Sequence, residues 1–139
     1  MYCANAGDSR GVISQKGTAL ELSEDHKPDL PSERSRVINA GHIVEEGRVD
    51  GIIAISRAIG DWEYKSQTLP AEKMAVSSYP DVRAMELSPD LEFVICACDG
   101  IWDCMTSQQA VDFVQMAKEK QSNYTPQKSP AASSPVKTG

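Results

Sequence analysis

Four aspartates stand where an apolar stretch or a tight turn ends: Asp8 in "NAGDSR", Asp61 in "AIGDWE", and Asp99 and Asp103 in "FVICACDGIWDCM". In the last segment, Phe93 to Cys98 reads as a buried strand that opens onto two carboxylates separated only by Gly100, Ile101 and Trp102. A carboxylate at the mouth of a core loses hydration, which destabilises its charged form unless a cation or several donors compensate. Magnesium and manganese are hard, oxygen-seeking cations that keep several waters and take a few carboxylates, so aspartates among glycines suit them. Gly100 removes a side chain from the spot where such an ion and its waters would lie. Taken singly, each aspartate also has a plainer reading, as a turn residue after a strand or as a helix cap.

Other reactive groups fit less well. A tyrosine-phosphatase-like cysteine needs an arginine one residue closer than Arg10 stands to Cys3, with six residues between them. A haloacid-dehalogenase-like aspartate needs a second aspartate two positions on, where Asp99 has Ile101. The cysteines at 3, 96, 98 and 104 lack C-x-x-C spacing and nearby paired histidines, so they read as ordinary buried thiols. His26, in "DHKP", reads as a turn residue, and His42 as a surface or capping group. Arg57 is expected to brace Asp61 or a loop rather than hold phosphate, and Trp62 and Trp102 to pack as core aromatics.

Short strands and turns must position these groups. "MYCANA" reads as a strand, "GVIS" and "TALEL" as a hairpin around Gln15-Lys16-Gly17, and "HIVEEGRVDG" as a second hairpin turning at Glu46-Gly47. "IIAIS" reads as a short apolar strand delivering Arg57 to a loop, while residues 63–79 show no clear period. Pro31 at the start and Gly41 just past the end bound a short helix with Val37, Ile38 and Ala40 on one side. "PDVRAMELS" and "LEFVICAC" read as strands joined at Ser88-Pro89-Asp90. Thr106 and Gln109 then have capping-box spacing, followed by a helix of about three turns with Ala110, Phe113, Val114 and Ala117 as its apolar stripe, widened by Val111. Residues 121–139 mix Pro, Ser, Thr and Lys and read as a disordered tail, its Thr125-Pro126, Ser129-Pro130 and Ser134-Pro135 pairs solvated.

The 139 residues carry 14 Lys and Arg against 20 Asp and Glu, a net charge of −6. Such a surface repels nucleic acid and anionic lipid and favours cations. No apolar stretch matches a membrane span or a signal-peptide core, so a soluble protein of the cytoplasm or nucleus is expected.

Read in order, "ANAGDSR", "LSEDHKP", "ERSRVINAG", "VDGIIAISRAIGD", "PDV" and "ACDGIWD" resemble the successive motifs of the protein phosphatase 2C family, the metal-dependent serine/threonine phosphatases. The resemblance covers about residues 2–114. It implies an α+β fold, a sandwich of two antiparallel sheets flanked by helices, here incomplete at both ends, with residues 1–120 as a partial catalytic domain. It further implies that Asp99 is a direct ligand of Mg²⁺ or Mn²⁺ and that Asp8 and Asp103 join it around a looser ion. "ERSRVINAG" (residues 33–41) and "VDGIIAIS" (49–56) fall in and beside the family's flap, which is thought to influence substrate choice. The implied reaction is hydrolysis of phosphoserine and phosphothreonine in proteins by a metal-bound water, with no phospho-enzyme.

The sequence departs from the family pattern in ways that bear on activity. The Asp-Gly-His-Gly-Gly motif that carries the family's bridging aspartate is absent, as are the histidine proposed as general acid and the last metal-ligand aspartate with its following Asn. His42 stands where a second glycine is usual, and Asp81 where glutamate is commoner. The binuclear site is therefore expected to be incomplete and the isolated chain to have little or no activity, with no catalytic residue assigned. Its expected partners are phosphoproteins and a missing N-terminal half of the same domain, not nucleic acid or membrane. The alternative is a non-catalytic regulatory or binding fragment of a phosphatase.

Overall fold

The computed structural model describes residues 1–122. Among them it has seven strands, β1 (Tyr2–Asn5), β2 (Arg10–Gln15), β3 (Thr18–Glu21), β4 (Val44–Glu45), β5 (Arg48–Val49), β6 (Asp81–Ala84) and β7 (Leu91–Ala97), and three α-helices, α1 (Pro31–Asn39), α2 (Asp99–Trp102) and α3 (Ser107–Ser122).

All strand pairs are antiparallel, in sheets ordered β1-β6, β3-β2-β7 and β4-β5. The β2–β3 turn has positive φ at both Lys16 (49°) and Gly17 (78°), and the β4–β5 turn at Glu46 (49°) and Gly47 (72°), the geometry that matches strand twist in a two-residue hairpin.

Side-chain alternation gives the central sheet two faces. Val12 opposite Ile95, with Phe93 and Ala97, packs against Trp102, Ala110 and Val111 of the helices. On the other face Gly11 opposes Cys96, and the Cys3 sulfur of β1 lies 3.7 Å from where a Gly11 Cβ would be, so the β1-β6 sheet meets β2 here. This layering is that of an α+β sandwich.

A second core, made of Val37, Val49, Ala75 and Val76 with Tyr64 against it, lies under α1 and the β4–β5 hairpin. Pro31 occupies the first turn of α1, as its spacing predicts. Val37 is buried but Ile38 is exposed, since adjacent helical residues point about 100° apart.

Four expectations need correction. "IIAIS" forms no strand: Val49 bridges Ile53, while Ser56 N–H and Ala58 N–H donate singly to His26 O (3.0 Å) and Ser77 O (2.9 Å). Helix α3 runs 16 residues and meets the small sheet with its first half, which leaves Phe113 and Ala117 exposed. Cys96, Cys98 and Cys104 are free and exposed rather than buried: residues 94, 96 and 98 alternate onto the face away from the helices, and Cys104 lies on the turn after α2. Gln121 and Ser122 belong to α3, and the rest of the expected tail lies outside the described residues. No described helix is long and apolar enough to cross a membrane.

Candidate functional site

The β2–β7 register pairs Arg10 with Ala97. Asp8 lies two residues before Arg10 and Asp99 two after Ala97, so antiparallel pairing brings both to the same end of adjacent strands. Asp99 opens α2, exposed, its Oδ1 accepting from the Gly100 N–H at 2.8 Å. Asp103 closes the same turn, its N–H donating to Asp99 O at 2.7 Å. Asp103 therefore ends a helical turn instead of capping α3. That cap is the expected box: Thr106 N–H donates to Gln109 Oε1 (2.8 Å), and Gln109 N–H to Thr106 Oγ1 (3.2 Å). A Cβ on Gly100 would meet nothing within 4 Å, so there is open space beside the two carboxylates.

Lys27, which sequence reading passed over, is the cation at this end of the molecule. Its ammonium binds the half-buried Asp8. Partial burial disfavours its charge, but the hydrogen bond to Asp8 and the fields of Asp8, Asp25 and Asp103 outweigh that and raise its pKa. Its partner Asp8 stands 19 positions away in the chain, so no local spacing signals the pair.

Arg10 connects this end to the helices. It grips Asp25 with two hydrogen bonds (2.9 and 2.8 Å), donates to Ser107 Oγ (3.1 Å), and lies 5.2 Å from the centre of the Trp102 ring. The Asp25 hydrogen bond is the main cause of its raised pKa. Asp103 shares with Arg10, Trp102 and Ser107 the wall of a cavity of about 660 Å³.

His26, Arg57 and His42 each pair with a carboxylate. The buried His26 ring lies between Gly7, whose N and O are 3.2 and 3.1 Å from Nδ1, and Asp81, 3.0 Å from Nε2. Of the two roles expected of Arg57, pairing with Asp61 is not found; it braces Glu33 (2.7 Å), Asp81 (2.7 Å) and, through Tyr79 O (3.1 Å), the loop before β6. His42 is half-buried and pairs with Asp50 at 2.7 Å. Trp102 is a core aromatic, as expected; Trp62 is not, being exposed.

As a metal centre these residues match in type but not in number. Carboxylate oxygens suit a hard divalent ion. Yet among the described residues no three His, Cys, Asp or Glu side chains gather to hold one, and Asp8 is engaged by Lys27. No catalytic step follows from this set alone.

The protein phosphatase 2C family model matches residues 1–134. The chain belongs to the protein phosphatase 2C family. It is 56% identical over 115 residues to probable protein phosphatase 2C 60 of Arabidopsis thaliana, covering 82% of this chain and 32% of that one. Against protein phosphatase 2C homolog 2 of Schizosaccharomyces pombe it is 56% identical over 116 residues, covering 83% and 31%. A phosphatase crystal structure from Toxoplasma gondii superposes with a TM-score of 0.74 at 35% identity, covering 86% of this chain and 38% of that one. The serine-threonine phosphatase 2C of the same organism gives 0.73 at 26% identity, covering 86% and 44%. The chain thus spans about a third of the length of the curated relatives it matches.

Proposed function

We propose that this chain supplies part of the active centre of a metal-dependent protein phosphatase that hydrolyses phosphoserine and phosphothreonine. Asp99, Asp103 and Asp8 would contribute carboxylates toward Mg²⁺ or Mn²⁺, and Gly100 would leave room beside them. One observation carries this reading: the β2–β7 register, which brings Asp8 and Asp99 together at one strand end in a chain of this family. A bound divalent ion supplies an activated water and offsets charge at phosphorus. The chain's own part is to hold Asp99 and Asp103 on one rigid turn locked by the Asp103 N–H and by the Trp102 Nε1–H donated to Ala97 O at 2.7 Å. The absence of any three-ligand group among the described residues favours inactivity of the chain on its own, as in the non-catalytic alternative.

The test is phosphopeptide hydrolysis by the purified chain in millimolar Mn²⁺. Turnover more than about tenfold below that of a longer family member supports a partial centre, whereas turnover within that range means these residues suffice.

A further inference from the structure

Scattered exposed apolar side chains are ordinary on a protein surface, but a group of them lining one cavity is not. Trp62 is 80% exposed and Ile52 65%. Ile52, Ile53, Trp62 and Tyr64 line a cavity of about 440 Å³ whose other walls are Asp61 and Glu63. Its base is firm. Tyr64 packs on the second core and against the His42 ring (centroids 5.8 Å apart), and the turn carrying it is closed by its N–H donating to Asp61 O at 3.0 Å.

Carboxylates outnumber cations around this cavity, where Arg48, opposite Glu45 in the β4–β5 register, donates to Ile52 O at 2.7 Å. Asp61 and Glu63 are exposed, and neither has an ion-pair partner among the described residues. Glu45 adds a third carboxylate, its Oε2 3.6 Å from the Cβ position of Gly51, next to Ile52. The nearest lysine in sequence, Lys65, is turned inward and donates to Ala58 O (2.9 Å) and Val76 O (2.8 Å). The unpaired Asp61 and Glu63 at the rim disfavour nucleic acid and anionic lipid. A large apolar side chain in the cavity, flanked by lysine or arginine facing Asp61 and Glu63, satisfies both the cavity and the rim.

We propose that this cavity is a docking site for an extended protein segment that carries a large apolar side chain flanked by basic residues. The inference concerns binding alone and does not require the metal-dependent reaction, so it is tested on the full chain in chelator-containing buffer. The probe is a fluorescein-labelled decapeptide with two leucines between arginine-lysine pairs, read by anisotropy. Its counterparts carry glutamate at the basic positions or serine at the leucines.

The basic apolar peptide is expected to bind at least about tenfold more tightly than either counterpart, and more weakly in high salt. Trp62→Ala should weaken it about tenfold, and the Asp61→Asn/Glu63→Gln double variant about fivefold with loss of the salt dependence. These side chains are exposed, so folding does not depend on them. Equal binding of the basic and acidic peptides, no binding of any peptide, or an unchanged affinity in Trp62→Ala would overturn the proposal. So would sedimentation showing that the chain dimerises through this cavity and that Trp62→Ala releases monomer.

Discussion

Glu33 is nearly sealed from water, and its carboxylate holds three donors at once: Arg57 (2.7 Å), Arg36 (2.7 Å) and Ser56 Oγ–H (2.6 Å). Burial alone would raise its pKa, but these hydrogen bonds pull it down to about 2 from an ordinary 4.5. A carboxyl depressed in this way binds fewer protons folded than unfolded. The stability it contributes is present above about pH 4.5 and is lost as pH falls through about 2. That contribution is about 3 kcal/mol. Urea titrations should therefore show the gap between wild type and Glu33→Gln narrowing by about that amount from neutral pH to about pH 2. A gap independent of pH would contradict the assignment. Asp81 and Asp50 act in the same direction. Burial works against Asp81 but is outweighed by hydrogen bonds from His26 and Arg57, and Asp50 is held down chiefly by His42. Lys27 yields a second expectation at this scale, since its ammonium competes with any divalent ion for Asp8. Lys27→Met should tighten Mn²⁺ binding by the chain several-fold in calorimetry, and an unchanged affinity would show that Asp8 lies outside the ion's reach.

At the level of elements, the short turn Asp99–Trp102 is held by its own tryptophan, which fills the space between the central sheet and α3. Trp102→Ala should cost about 3–5 kcal/mol in urea unfolding, because it leaves a cavity and frees both Ala97 O and the Arg10 guanidinium. The outer edge of β3 is closed by side chains: Gln108 accepts from Ala19 N–H (2.9 Å) and donates to Gly17 O (2.8 Å), and Arg83 donates to Glu21 O (3.1 Å). Gln108→Ala should speed amide exchange at Ala19 by about tenfold or more, with little change at Val12 in the sheet centre. Much of this layer was legible in the sequence. Lys16-Gly17 and Glu46-Gly47 carry their own turn chemistry, Pro31 and Gly41 bound a helix, and Thr106 with Gln109 states a cap. What was not legible depended on non-local partners. The backbone of "IIAIS" bonds to His26 and Ser77 instead of to a neighbouring strand, and Glu33 found Arg57 across 24 positions. Only the Glu33–Arg36 spacing hinted at that network.

For the whole molecule, family membership and fold stand on the ordered motifs and on their superposition with solved phosphatases. The candidate centre was legible only as residue types: the sequence names Asp8, Asp99 and Asp103, the strand register brings two of them to one end, and neither supplies the full complement of ligands. The central claim is that these carboxylates work together with ligands from outside the chain. It is tested most directly by grafting the chain in place of the matching segment of the fission yeast homolog 2, with which it is 56% identical, and following Mn²⁺-dependent phosphopeptide hydrolysis. The account predicts turnover within about tenfold of the parent and a loss of at least about 100-fold on Asp99→Asn. A folded graft that is inactive, or one whose activity survives Asp99→Asn, would contradict it.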